Sequence, residues 1–258
     1  MGILNLTPDS FFDGGRYASE KSILEQVEKM LEEGASIIDI GAYSTRPGAA
    51  EVSEEIEFER LFPVIHLIRK TFKSAVFSVD TFRSKIARLC IEAGVDIIND
   101  ISGGTLDDEM FTTIAQSNVP YVLTHLQGSP QNMQKNPHYT NVVEEVSNFF
   151  HKKIKELTQR GINQLIIDPG FGFGKTNEHN FELLRSLQTF GGLGYPILAG
   201  LSRKSMIGRV LDIKNEDSLN GTTSLNTIAL LNGATILRVH DVKEAVECIK
   251  LTQKYLLV

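Results

Sequence analysis

The sequence predicts an α/β protein with a single-domain (β/α)8 (TIM) barrel, because short apolar runs and helical patterns alternate eight times along its 258 residues. This length is close to the usual size of one such barrel, so residues 1–258 are expected to form one domain. Each apolar run ends in a polar or charged residue. The active site of a barrel lies at the carboxyl ends of its strands, so this pattern indicates an enzyme.

The eight predicted strands are short apolar segments of the length that a buried parallel strand needs. In chain order they cover residues 3–4, 36–40, 75–79, 97–98, 121–123, 165–167, 196–201 and 235–237.

Between these runs, apolar residues recur at the spacing of an amphipathic helix. Ser19 and Ser53 are predicted N-caps, Gly34 is expected to end the first helix, and Pro63 should bend the second. The predicted helices cover residues 19–34, 53–72, 83–94, 107–118, 141–161, 178–190, 219–232 and 242–257.

Two long loops follow the first two strands, at residues 6–18 and 42–52. Both are rich in Gly, Pro, Asp, Ser and Thr, so they lack an apolar face that could pack as a helix or strand. Long loops at the catalytic end of a barrel are commonly lids or substrate clamps. We therefore expect both loops to be mobile and functional; disordered crossovers are the alternative.

Composition argues against several classes of function. The net charge is −6 and no basic tail is present, which argues against binding to nucleic acid or to an anionic membrane. No apolar run approaches the roughly 20 residues needed to cross a bilayer. Cys90 and Cys248 lie in helical patterns without metal-ligand spacing, as expected of reduced thiols in a cytoplasmic protein.

The densest motif is the segment 168–175, with the sequence DPGFGFGK. It is not a P-loop, because Pro169 stands where that loop needs Gly. It is not a dinucleotide fingerprint either, because Lys175 stands where the last Gly is required. A carboxylate at a strand end remains, followed by a glycine-rich backbone that a flat ligand can approach closely. A plain tight turn is the alternative.

Asp80, Asn99 and Asp168 end the third, fourth and sixth predicted strands. In a closed barrel these side chains converge on one pocket, where they suit the N–H groups of a nitrogen heterocycle. One such residue alone is more often a helix cap, but three at strand ends favour a binding site.

Cationic residues follow the last two strands. Lys204 lies in the segment 202–205, and Arg238 and His240 fall on one side of the eighth strand. Barrels often bind phosphate at this position, although ion pairs with nearby acids are the alternative. Asn5 ends the neighbouring first strand, where its amide oxygen could help to hold a Mg²⁺ that bridges phosphate oxygens.

These motifs together resemble the dihydropteroate synthase family. The resemblance spans essentially the whole chain, in order, and is highly specific. It rests on residues 1–11, 44–48, 78–81, 98–103, 168–175, 200–205 and 238–242. It implies an enzyme of folate biosynthesis that joins p-aminobenzoate to 6-hydroxymethyl-7,8-dihydropterin diphosphate and yields 7,8-dihydropteroate and diphosphate.

The resemblance also implies the role of each site residue. The pterin site would comprise Asp80, Asn99, Asp168 and Lys204, and the diphosphate site Arg238, His240 and Asn5, with Mg²⁺ at Asn5. The p-aminobenzoate site would comprise Thr45, Arg46, Pro47, Phe173 and Ser205, and Asp13 would close over the reacting carbon. The residues implied to be catalytic are Asp13, Arg46, Lys204 and Arg238.

The resemblance further implies that sulfonamides compete with p-aminobenzoate, and that the late helices around residues 221–234 form a homodimer. We expect a dissociative substitution without a covalent enzyme intermediate. Departures from the family pattern are few: residues 42–43 are Ala-Tyr instead of the commoner Gly-Glu, and residues 124–126 are Thr-His-Leu instead of Met-His-Met. A corrinoid-linked methyltransferase domain and an inactive pterin-binding module are the alternatives.

Overall fold

Eight parallel strands form the centre of the structure, a computed structural model that describes residues 1–6, 16–43 and 52–257, with residues 16–19 described by their backbone alone. The strands are β1 (Gly2–Asn5), β2 (Ile37–Gly41), β3 (Val76–Asp80), β4 (Ile97–Asp100), β5 (Tyr121–Thr124), β6 (Leu165–Asp168), β7 (Leu198–Ala199) and β8 (Ile236–Leu237).

Strands β1 to β6 pair in chain order, and β7 pairs with β8. Two single bridges, Ile167–Ile197 and Gly2–Val239, join these sheets into a closed ring. At the second junction, the amide of Ile3 donates to the carbonyl of Val239 over 2.9 Å, and the amide of Val239 donates to the carbonyl of Met1 over 2.9 Å. Closure removes the sheet edges and directs all carboxyl ends of the strands to one face.

The helices pack around this ring, and most begin and end where the sequence predicts. They are α1 (Arg16–Glu32), α2 (Glu54–Thr71), α3 (Ser84–Glu92), α4 (Met110–Ser117), α5 (Val142–Gln159), α6 (Asn177–Arg185), α7 (Ser205–Leu211), α8 (Leu219–Leu231) and α9 (Val242–Leu256).

Local signals explain several helix boundaries. The side chain of Ser53 accepts from the amide of Ile56 at 3.3 Å and caps α2, which continues through Pro63. Asn141 caps α5 in the same way, over 3.1 Å to the amide of Glu144. Gly34, with φ of +101°, follows the end of α1, as predicted.

Two boundary predictions were wrong. The predicted cap Ser19 lies inside α1, which begins at Arg16, because the preceding residues are themselves acceptable helix formers. The helix predicted over residues 178–190 ends at Arg185 and continues as a 3₁₀ segment, Leu187–Leu193. This segment contains two glycines, which weaken an α-helix, and 3₁₀ turns are frequent where a helix ends.

Side chains alternate between two environments along the strands. One set packs against the helices in the main core. The other set points into the ring and forms an apolar layer near its amino-terminal end, built from Ile97, Val122, Ile166 and Leu198. This layer fills the amino-terminal end of the barrel interior, so the polar pocket lies toward the carboxyl ends of the strands. No helix in the described ranges is long and apolar enough to cross a membrane.

Candidate active site

Polar side chains form the next layer of the barrel interior, closer to the carboxyl ends of the strands than the apolar layer. Most are buried, which is costly unless they are paired or contact a ligand. They are Asp39, Ser78, Asn99, Thr124, Asp168 and Arg238. Three buried atoms of this layer have no hydrogen-bond partner among the described residues: Oδ1 of Asp39, Oγ of Ser78 and Oγ1 of Thr124.

Arg238 joins two carboxylates at the centre of the layer. Its Nε donates to Oδ2 of Asp39 over 2.6 Å, and its Nη2 donates to Oδ2 of Asp80 over 2.8 Å. Burial opposes the charged guanidinium, but Asp39 and Asp80 outweigh it and raise the pKa of Arg238. Burial raises the pKa of Asp80 to about 7, although Arg238 acts in the opposite direction. The arginine therefore stays charged and holds both acids in place.

Asn99 and Asp168 complete the acidic and amide groups predicted at the strand ends. Asn99 pairs in register with Asp80, and its Nδ2 donates to Oδ2 of Asp39 over 3.0 Å. Oδ1 of Asp168 accepts from the amide of Gly170 over 2.7 Å. Burial raises the pKa of Asp168, while the Gly170 amide, Lys204 and Arg238 lower it. The predicted convergence of Asp80, Asn99 and Asp168 is thus present in the structure.

Lys204 approaches the same pocket from the segment after β7. It is half-buried, and its Nζ lies 4.3 Å from the centroid of the Phe173 ring. Burial lowers the pKa of Lys204 to about 8; Asp168 opposes this effect, and Arg238 adds to it. The buried Phe173 ring and the Lys204 side chain therefore form one wall of the pocket.

Lys175 supports the glycine-rich turn that carries Phe173. Its buried Nζ contacts the carbonyl oxygens of Gly170 (2.9 Å) and Phe173 (3.0 Å) and Nδ1 of His125 (2.9 Å). Burial and the nearby Lys175 lower the pKa of His125 to about 2, so its ring is neutral and accepts this bond. Lys175 faces the protein interior, which agrees with the exclusion of a P-loop.

The remaining predicted groups lie around the rim. Nδ1 of His240 is 3.0 Å from Oγ of Ser202. Ser205 is exposed and begins α7. Arg203 forms a paired contact with Asp241, with distances of 3.0 and 2.6 Å. The ion pairs given as the alternative are therefore present for this cation, as they are for Arg238 with its two aspartates.

Asn5 lies beside Asp80, with only Gly41 between them. Oδ1 of Asn5 and Oδ2 of Asp80 each lie 3.8 Å from the position that a Cβ at Gly41 would occupy. The glycine thus leaves the space between the amide and the carboxylate open. The predicted site residues Asp13, Thr45, Arg46 and Pro47 lie outside the described residues.

The sequence prediction missed Asp39. It occurs in the middle of an apolar strand instead of at its end, and it is completely buried. An ionisable residue inside the otherwise apolar run 37–40 was the available signal, because buried charges are rare unless they are paired.

Comparison with known proteins agrees with this geometry. The family described as pterin binding enzyme matches residues 1–240. The dihydropteroate synthase of Haemophilus influenzae is 47% identical over 255 residues, which cover 98% of this chain and 92% of the relative. The chain belongs to the dihydropteroate synthase family.

Solved structures of dihydropteroate synthases confirm the predicted barrel. The Yersinia pestis dihydropteroate synthase, solved with a sulfonamide drug, superposes with a TM-score of 0.93 at 40% identity and covers 100% of this chain and 94% of that one. The Xanthomonas albilineans dihydropteroate synthase, in complex with 7,8-dihydropteroate, gives a TM-score of 0.89 at 36% identity and covers 100% and 93%. As the sequence predicted, the chain is a transferase of folate biosynthesis.

Proposed function

We propose that this chain condenses p-aminobenzoate with 6-hydroxymethyl-7,8-dihydropterin diphosphate to give 7,8-dihydropteroate and diphosphate. One observation carries the proposal: acids and an amide suited to a heterocycle share a closed barrel interior with Arg238, a cation suited to a diphosphate. Nη2 of Arg238 lies only 2.8 Å from Oδ2 of Asp80, so the group suited to the diphosphate is adjacent to the groups suited to the heterocycle. A substrate that contains both a heterocycle and a diphosphate fits such a site.

The pterin ring would bind deepest. Asp80 and Asp168 can accept its N–H groups, and the amide of Asn99 can both donate and accept. Lys204, over Phe173, would donate to an acceptor atom of the ring. These buried polar groups need partners, and a heterocycle with alternating donors and acceptors provides them.

The diphosphate would bind above Arg238. Nε and Nη2 of Arg238 contact the two aspartates, which leaves Nη1 to donate to a phosphate oxygen. His240, at the same rim, would add a second contact. Release of diphosphate moves the C–O bond electrons onto the leaving oxygen, and these groups would stabilise the charge that develops there.

Mg²⁺ is the cofactor that this proposal implies. The described residues contain no group of three or more His, Cys, Asp or Glu side chains that could hold a metal. Mg²⁺ often takes only one or two protein oxygens and completes its shell with water and substrate phosphates, so the Asn5 amide fits this role. When bound there, the ion would neutralise charge on the diphosphate.

Loss of diphosphate would leave the pterin methylene carbon electron-poor, with Asp80 and Asp168 nearby to favour positive charge. The amine nitrogen of p-aminobenzoate would form the new C–N bond and lose one proton to water. Phe173 and Ser205 would contact the p-aminobenzoate ring, together with Thr45, Arg46 and Pro47, while Asp13 would cover the reacting carbon. No covalent bond to the protein is required.

The test is diphosphate release from the dihydropterin diphosphate, with and without p-aminobenzoate, in the presence of Mg²⁺. We expect release to require both substrates and to collapse in Lys204→Ala. Competitive inhibition by a sulfonamide against p-aminobenzoate would support the shared site; inhibition independent of p-aminobenzoate would contradict it. A folded wild type that binds pterin without releasing diphosphate would favour an inactive binding module.

The pH dependence should identify Lys204. Its pKa is lowered to about 8 by burial, and Asp168, Arg238 and Asp80 are the charged groups around it. Because kcat/KM reports the ionisation of the free enzyme, kcat/KM for the pterin substrate should fall as pH rises through about 8. In Lys204→Arg the charge persists, so this alkaline decrease should move to higher pH. An unchanged decrease in the variant would assign it to another group.

A homodimer through the late helices is part of the same proposal. Several large apolar side chains are exposed on α7, α8 and α9, among them Val210 (58%), Leu231 (46%) and Tyr255 (72%). We expect Ile228→Glu to convert a dimer into a monomer by light scattering at micromolar concentration. Leu106→Glu is the control, because Leu106 lies outside the late helices and is about as exposed as Ile228 (39% and 42%, respectively). This change should leave the dimer intact. A monomeric wild type would contradict the proposal.

We also propose that the protein is located in the cytoplasm. Cys90 and Cys248 are buried free thiols, and burial raises the pKa of Cys90 to about 12, so its reactive thiolate form is suppressed. Buried, reduced cysteines fit a reducing compartment.

A further inference from the structure

Asp39 occupies a special position in the barrel. It lies in the middle of β2 with a relative exposure of 0%. Its Oδ2 accepts from Arg238, which follows β8, and from Asn99 on β4, over 2.6 and 3.0 Å. Strands β4 and β8 each lie two strands away from β2, on opposite sides of it. One carboxylate oxygen therefore connects two groups that approach the pocket from different directions.

We propose that Asp39 is a positioning residue that orients Arg238 and Asn99 toward the substrate. This inference rests on the proposed function, in which Arg238 binds the diphosphate and Asn99 binds the pterin. Asp39 would contact neither part of the substrate itself.

The two contacts of Asp39 have different consequences. With Nε held by Asp39 and Nη2 held by Asp80, the plane of the Arg238 guanidinium is fixed, and so is the direction of Nη1. With its Nδ2 held by Asp39, the Asn99 amide cannot turn over without losing this bond. Its Oδ1 must then lie on the side away from Asp39, as an acceptor for a ligand N–H group. Asp39 thus sets the donor and acceptor pattern of the site.

A purely structural ion pair explains the arrangement less well. Oδ1 of Asp39 is buried and has no hydrogen-bond partner among the described residues. A buried carboxylate with one unsatisfied oxygen costs folding free energy that an apolar residue would not. Proteins retain such groups mainly at functional sites. The groups that Asp39 holds are both predicted substrate contacts, which supplies the reason for its retention.

The experiment measures binding of the dihydropterin diphosphate by calorimetry to Asp39→Asn, which keeps the shape of the side chain but loses its charge. We expect affinity to fall by about 10- to 100-fold, the size of one lost charged hydrogen bond. Asp96→Asn is the matched control, because it also removes the charge of a carboxylate that pairs with an arginine, Arg69, over 2.5 Å. Asp96 directly precedes β4, at the amino-terminal end of the barrel and away from the pocket, so its replacement should leave affinity unchanged.

A double-mutant cycle with Asn99→Ala tests the mechanism. If Asp39 acts through Asn99, part of the effect of Asp39→Asn should disappear once Asn99 is absent. If the loss of affinity in the double variant equals the product of the losses in the two single variants, the proposal is overturned. Wild-type affinity in Asp39→Asn would overturn it as well. Asp39→Glu retains the charge but displaces the carboxylate, so it should also bind weakly. Full affinity in Asp39→Glu would show that only the charge of Asp39 matters and would contradict a positioning role. The Asp39→Glu measurement therefore tests the proposal even if Asp39→Asn does not fold.

Binding and turnover separate the two proposals. If the wild type binds the pterin substrate but releases no diphosphate, the proposed function fails, while the binding cycle still tests Asp39. If the wild type turns over normally and Asp39→Asn binds like wild type, only the positioning role fails.

Discussion

Replacing Arg238 with alanine should abolish diphosphate release and lower the free energy of unfolding by about 3–5 kcal/mol. The change removes the cation that pairs with both Asp39 and Asp80 and leaves two acids in the barrel interior without their common partner. A buried ion pair contributes little net stability, but removing one partner leaves an uncompensated charge. The same change removes the donor proposed for the leaving group.

The pH dependence of unfolding provides the diagnostic measurement. The pKa of Asp80 is about 7 in the folded protein against an ordinary value of 3.8, so the folded state binds more protons between about pH 4 and 7. Stability from this group therefore falls as pH rises through that window. In Arg238→Ala the decrease should be larger, because the arginine no longer lowers this pKa. A destabilisation independent of pH would contradict the explanation.

Arg69→Ala is the control for this prediction. Arg69 forms a short ion pair with Asp96 and donates to two backbone carbonyls near the amino-terminal ends of the strands, away from the pocket. Its replacement should reduce stability but preserve diphosphate release, which separates loss of fold from loss of chemistry. Loss of activity in both variants in proportion to stability would remove the case for a direct role of Arg238.

Replacing Gly170 with alanine should cost about 2–5 kcal/mol of unfolding free energy. Gly170 has φ of +72°, and an added Cβ would lie 2.0 Å from the carbonyl oxygen of His125. The backbone cannot move apart to relieve the strain or the clash without losing hydrogen bonds, because Lys175 contacts the carbonyls of both Gly170 and His125. The Gly170 amide also supports Asp168, so pterin affinity should fall as well.

Gly161→Ala separates backbone strain from the clash. Gly161 has φ of +82°, but nothing in the described structure lies within 4 Å of an added Cβ. Its replacement should cost only about 1–2 kcal/mol, the ordinary penalty of a left-handed residue. Urea unfolding of both variants measures the difference, and equal losses would show that the contact with His125 is unimportant.

The fold was largely predictable because its main signals are local. Each strand and helix has its own periodicity, and alternation alone placed Asp80, Asn99 and Asp168 at the correct end of the barrel. The errors at Ser19 and in the segment 178–190 are also local: competing caps and glycines are hard to rank without packing. The loop residues Asp13, Thr45, Arg46 and Pro47 remain predictions.

The connections within the site were not predictable, because they join distant parts of the chain. Arg238 pairs with Asp39 across 199 residues, and no local pattern in either strand indicates the contact. Lys175 shows the same limit. The sequence excluded a phosphate-binding loop, but only the fold shows that this lysine holds the glycine turn from within.

Closure of the ring by β8 also has a consequence for biosynthesis of the protein. Val239 seals the ring against Met1 and Ile3, and the adjacent Arg238 organises acids on β2 and β3. On the ribosome, the early strands are made long before this segment, and β1 has an unpaired edge until it arrives. The nascent chain therefore has no assembled site until its eighth strand emerges, and a chain truncated before that point would be inert and would expose the unpaired edge of β1.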